Sequence, residues 1–99
     1  MPRLLGWLRR PRVRRVRVTT APADVLLQSV AVLRHFGARV VRYDADEGAL
    51  EARLAGGTRL RLLAVEHGDG SHVTVETAGA DWHGVARTLA VELTRGGAA

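Results

Sequence analysis

The sequence predicts an α+β domain: a five-stranded antiparallel sheet with two helices packed on one face. Three observations predict it. Residues 24–36 keep apolar side chains at the three- and four-residue spacing of a helix. Five other stretches alternate apolar and polar residues, the period of a half-buried strand. Four of those five follow one another with only short Gly- or Asp-bearing turns between them, as in an antiparallel meander. The predicted order is β-α-β-β-β-β-α, with the first strand joining an edge of the meander beside the last. Because one face of such a sheet alternates polar, both helices must cover the other.

The first helix is the organising element. Leu26, Val30 and Leu33 define its stripe, and Val25, Val32 and Phe36 widen it. Thr20 or Ala21 is expected to cap it, and Pro22 suits its first turn because a proline has no N–H to leave unpaired there. Asp24 sits near the positive end of the helix dipole, and Gly37 ends the helix as a left-handed cap.

The strands follow from alternation. Residues 14–20 place Val16 and Val18 on one face and Arg15, Arg17 and Thr19 on the other. Residues 38–43 form the next strand, and residues 44–48 turn the chain. Residues 49–54 set Leu50, Ala52 and Leu54 against Glu51 and Arg53, and Gly56-Gly57 makes the following turn. Residues 59–66 alternate until Leu62-Leu63, where a bulge or a fully buried stretch is expected. Residues 67–71 turn again, and residues 72–77 point Val73 and Val75 inward. Asp81 caps a closing helix over residues 82–95, with Trp82, Val85, Ala86, Leu89 and Leu93 on its apolar side. Gly96-Gly97 is expected to stop it.

A chain of 99 residues forms one core, with a stability of roughly 5–10 kcal/mol. Residues 1–13 read as a basic arm, 14–95 as the domain and 96–99 as a flexible tail. The formal net charge is +5, but seven of the fifteen arginines precede residue 18, where there is no acid. From residue 19 onward the net is −2. There is no lysine, a bias that GC-rich codons explain. There is no cysteine, which excludes a disulfide framework, a thiolate metal site and a cysteine nucleophile. No apolar run approaches the roughly 20 residues needed to span a bilayer. Leu4-Leu5-Gly6-Trp7-Leu8 is too short for a secretory core, so the chain reads as cytoplasmic, and as peripheral to a membrane if the arm binds one.

The stretch ADVLLQSVAVLRHFGARVVRYDADEGALEARLAGGTRLRLLAVEHGDGSHVTVE joins an amphipathic helix, a glycine, a strand, an acidic turn and a glycine-turned hairpin. The acidic turn runs into Gly48-Ala49-Leu50-Glu51-Ala52. This pattern resembles a family of small bacterial domains of unknown function within the helix-grip and TATA-binding-protein-like group. BamC-type envelope lipoprotein domains are more distant relatives by fold. The resemblance spans residues 14–95 and implies a grip-like sheet over two helices. It transfers no active site, and fold relatives that bind lipid, nucleic acid or protein leave the function open. Envelope lipoproteins need an acceptor cysteine, which this chain lacks.

Candidate chemistry is sparse. Asp44-x-Asp46-x-Gly48 begins like a calcium loop, but Ala49 and Ala55 stand where glycine and a bidentate glutamate belong, so a tight turn is expected. His67 and His72 flank a hairpin with Glu66 and Asp69 nearby, without a fixed third ligand, and no metal is expected. His35 and His83 read as surface residues. Ser29 and Ser71 have no base in a suggestive pattern, and no glycine-rich loop leads from a strand into a helix. The expectation is a protein that is not an enzyme and needs no cofactor.

The arm is the stretch whose composition needs an explanation. Leu4, Leu5, Trp7 and Leu8 share one side of a short helix; Arg3 and Arg10 oppose them, with Arg9 at the border. The expected function is a binding or docking module whose Arg3, Trp7, Arg9, Arg10, Arg12, Arg14, Arg15 and Arg17 meet an anionic partner. A membrane surface would take the apolar side and the arginines together; a nucleic acid would take arginine forks on phosphate and Trp7 on a base. The competing readings are a solvated tail, a small apolar or lipid-like ligand in the groove between sheet and helices, and a protein partner or homodimer on an exposed edge at residues 38–43.

Overall fold

The computed structural model of the chain describes residues 12–79 and 84–98. The expected arm turns, the Asp81 cap and Trp82 lie outside those residues. The elements are β1 (Arg12–Val18), α1 (Pro22–His35), β2 (Arg39–Asp44), β3 (Ala49–Arg53), β4 (Arg59–His67), β5 (Gly70–Ala78) and α2 (Val85–Ala98). A single 3-10 turn, Ala55–Gly57, joins β3 to β4. The five strands form one sheet in the order β1-β5-β4-β3-β2, and every neighbouring pair is antiparallel. This is the expected meander with the first strand beside the last.

Local chemistry sets the bounds of α1. Ala21 is the N-cap in extended conformation, and its carbonyl accepts the Val25 N–H at 3.0 Å. No side chain caps this end; the Thr20 carbonyl instead accepts the Ser71 hydroxyl at 2.6 Å, tying the helix entrance to β5. At the other end Gly37 takes φ +74. That lets the Gly37 N–H reach the Arg34 carbonyl and the Ala38 N–H reach the Leu33 carbonyl, both at 2.9 Å, which satisfies two carbonyls the helix leaves over.

The core lies between the helices and one sheet face. Leu26 and Leu33 of α1 and Val85, Leu89 and Leu93 of α2 are fully buried. They meet Leu50, Leu60, Leu62, Val73 and Val75 of the sheet, while Val30, Val32 and Phe36 close the rim. Each leucine removed from water contributes about 1.5–3 kcal/mol. The buried Ser29 donates to the Val25 carbonyl at 2.7 Å, so its hydroxyl does not oppose the packing.

Four local expectations are corrected. β1 begins at Arg12, two residues earlier than alternation suggests, because Arg12 still pairs with Thr77. β4 has no bulge at Leu62-Leu63: Leu62 pairs with Val75 and Leu63 with Thr74 in unbroken register. Leu63 is simply 42% exposed on the open face. A bulge in a strand with neighbours on both sides would disrupt two ladders, whereas one exposed leucine disrupts none. The register shift falls in β2, between Val40 and Arg42, on an edge where only one ladder is disturbed. The β4–β5 turn is also tighter than expected, since His67 pairs directly with Gly70. Finally, α2 continues through the glycines to Ala98.

Gly70 marks where β5 passes closest to the end of β1. A Cβ there would collide with the Val18 carbonyl oxygen and lie 2.7 Å from the Thr19 Cα, both immobile backbone atoms. Gly70→Ala is therefore expected to cost about 2–4 kcal/mol, at the upper end for single substitutions. Leu89→Ala, which hollows the centre of the core, should cost about 2–5 kcal/mol. Urea unfolding checks both: the midpoint should fall with little change in slope.

Candidate anion-binding face

Alternation delivers one sheet face to the helices and leaves the other open. On that open face the register places side chains in rows across the strands. From β5 to β2, one row reads Ala78, Arg59, Arg53, Arg39. The next reads Glu76, Arg61, Glu51, Arg42, and the third reads Thr74, Leu63, Ala49, Asp44. β1 adds Val13 beside Glu76, Arg15 beside Thr74 and Arg17 beside His72. A shallow groove of about 360 Å³ crosses the first two rows, between Val41, Arg53, Arg59, Arg61, Glu51 and Glu76.

The rows differ in how their charge is balanced. In the middle row Arg61 stands opposite both Glu76 and Glu51. Arg42 donates to Glu51 at 3.2 Å and to Glu47 at 2.7 Å, and lies 3.9 Å from Asp44. Glu51 and then Glu47 raise the pKa of the Arg42 guanidinium above its ordinary value. Asp44 also accepts the Glu47 N–H at 3.1 Å, so its carboxylate builds the turn that the sequence suggested. In the end row, by contrast, Arg39, Arg53 and Arg59 are direct cross-strand neighbours, and none forms an ion pair among the described residues.

The arginines singled out from sequence are divided by the structure. Arg3, Trp7, Arg9 and Arg10 lie outside the described residues. Arg15 and Arg17 stand on the open face, as alternation requires. Arg12 and Arg14 pair with Thr77 and Val75, at register positions of the helix-covered side, yet remain exposed towards the start of β1. The sequence reading missed Arg39, Arg53, Arg59 and Arg61. Their outward positions follow from alternation, but that they share rows follows only once the hairpin turns fix the register.

A second cluster sits at the other end of the face. Arg17 Nε donates to His72 Nε2 at 3.1 Å, and the His67 and His72 rings lie 4.0 Å apart at 42°. The accepting nitrogen of His72 must be unprotonated. Partial loss of hydration, then His67, then Arg17 hold the His72 pKa below 6.5. Among the described residues no three His, Asp or Glu side chains converge as a metal site would require, and no helix is long and apolar enough to cross a membrane. Comparison with known proteins brings no matching family model and no matching curated protein.

The histidine cluster has a definite pH sign. With the folded pKa of His72 below 6.5, the unfolded chain binds more protons as pH falls through 6.5 towards the folded value. Stability from this group is thus present above that window and declines within it. Proton NMR should place the His72 midpoint below that of a free imidazole. His67→Ala and Arg17→Ala should each move it upward, and an unchanged midpoint in both would show that neither neighbour acts on the ring.

Proposed function

We propose that this chain is a non-catalytic binding module whose arginines contact an anionic partner. One observation carries the reading: a sheet face that no described helix covers presents arginines on four of its five strands, β1, β2, β3 and β4. The chemistry of the remaining polar groups supports it. The Ser29 and Ser71 hydroxyls donate to backbone carbonyls, Glu47 and Glu51 hold Arg42, and His72 accepts from Arg17. These groups are engaged in structure and are not poised as nucleophile and base.

The competing readings draw less support. The space between sheet and helices is occupied by Leu26, Leu33, Leu62 and Leu89, all fully buried, which disfavours an apolar ligand there. The β2 edge carries a bulge and the charged Arg39 and Arg42, features that discourage pairing with a second chain. The arm carries further arginines, Arg3, Arg9 and Arg10, and both a membrane surface and a nucleic acid offer the anionic groups they would meet.

Deleting residues 2–11 tests the arm while sparing Arg12, the first residue paired in β1. At about 1 kcal/mol per basic residue, losing Arg3, Arg9 and Arg10 should weaken binding to an anionic polymer or vesicle roughly a hundredfold, with the circular dichroism spectrum retained. Equal affinity in the deleted chain would exclude the arm from the interface.

A further inference from the structure

We propose that the Arg39–Arg53–Arg59 row is a grip for the phosphodiester backbone of a nucleic acid; this deepens the anionic-partner reading and rests on it. The row is unusual in its own terms. Arg39 faces Arg53 and Arg53 faces Arg59 as direct cross-strand partners. Like charges so placed destabilise a sheet. In the neighbouring row arginines are matched by acids, Arg42 by Glu47 and Glu51 and Arg61 by Glu51 and Glu76, and on β1 Arg15 stands beside Thr74 and Arg17 beside His72. Among the described residues only the end row sets arginine directly against arginine across strands, a repulsion that an external anion would relieve.

The shape of the charge points to a linear anion. The neighbouring row alternates Glu76, Arg61, Glu51, Arg42 and balances itself. The run of facing arginines is therefore one row wide and three strands long, with adjacent strands about 4.8 Å apart. A strip of that form follows a single phosphate backbone. A membrane, a plane of headgroups, would meet Glu51 and Glu76 as well. Guanidinium forks match phosphate oxygens in pairs of hydrogen bonds. The groove lining includes no aromatic side chain on which a base could stack, so the contact reads phosphate and not sequence. The chain also enters the sheet at this end: Arg12, the start of β1, pairs with Thr77, one residue from Ala78 of the row. Arg12 thus lies at the same end of the sheet as the strip, across β5 from Arg59.

Arg53→Glu in the full chain tests the grip, because it predicts opposite changes in two measurements. The substitution replaces two like-charge pairs by two opposite-charge pairs, so the thermal midpoint should rise. Binding to a labelled mixed-sequence single-stranded oligonucleotide should weaken at least tenfold, and the slope of log affinity against log salt should become shallower by about 1.4, at about 0.7 for each of the two positive charges the row loses. Arg87→Glu, on exposed α2 surface, should change neither the affinity nor the slope by comparable amounts. Oligonucleotide binding with unchanged affinity and slope in Arg53→Glu would overturn the grip and leave the anionic reading to the arm. Binding of the native chain to anionic vesicles but not to the oligonucleotide would overturn the nucleic acid. Binding to neither would overturn the grip and the broader reading together.

Discussion

The structure depends on one constraint: an alternating sheet has a single apolar face, and that face must be covered. Val73, Val75, Leu60, Leu62 and Leu50 supply it from three adjacent strands. α1 and α2 cover it side by side, with Leu26 and Leu33 from one and Leu89 and Leu93 from the other. Two helices satisfy this one face, and among the described residues no further element covers the opposite one. The open face is therefore a direct consequence of the core. Its side chains are free of packing demands, and their identity is available for recognition.

That division explains which features were legible in the sequence. The inward positions were, since a two-residue period and a helical period each specify burial without knowledge of the partner. Gly37 as a left-handed cap was legible because the required φ selects glycine. The bulge was misplaced because Leu62-Leu63 breaks alternation in the same way whether the strand bulges or merely exposes a leucine. Choosing between them requires knowing that β4 has neighbours on both sides. The true irregularity, at Val40 and Arg42, hides in a run of valines and arginines on an edge strand. The end of α2 was misjudged because two glycines weaken a helix interior without forbidding it.

The candidate site was legible only in part, for a related reason. Arg15 and Arg17 declare themselves by lying in a dense local run of arginine. Arg39, Arg53 and Arg59 are separated along the chain and embedded among acids, so a count by segment averages them away. Register is what gathers them. The turn over residues 45–48 and the 3-10 turn at Ala55–Gly57 fix β2 on β3 and β3 on β4, and the three arginines fall into line.

The chain uses arginine throughout and no lysine, but composition does not explain placement. If arginines were scattered on the open face by composition alone, each would be as apt as the next to face an acid. Instead the middle row alternates sign strand by strand, and the end row has no acid at all. A single carboxylate at the central position of that row would be enough to relieve both like-charge contacts. The middle row shows that the same strands accommodate carboxylates one row away. The repulsion is thus a local feature of the end row and not a property the sheet requires, and it lies on the sheet face that no described helix covers. Both circumstances favour an external anion over chance composition as the reason for the row.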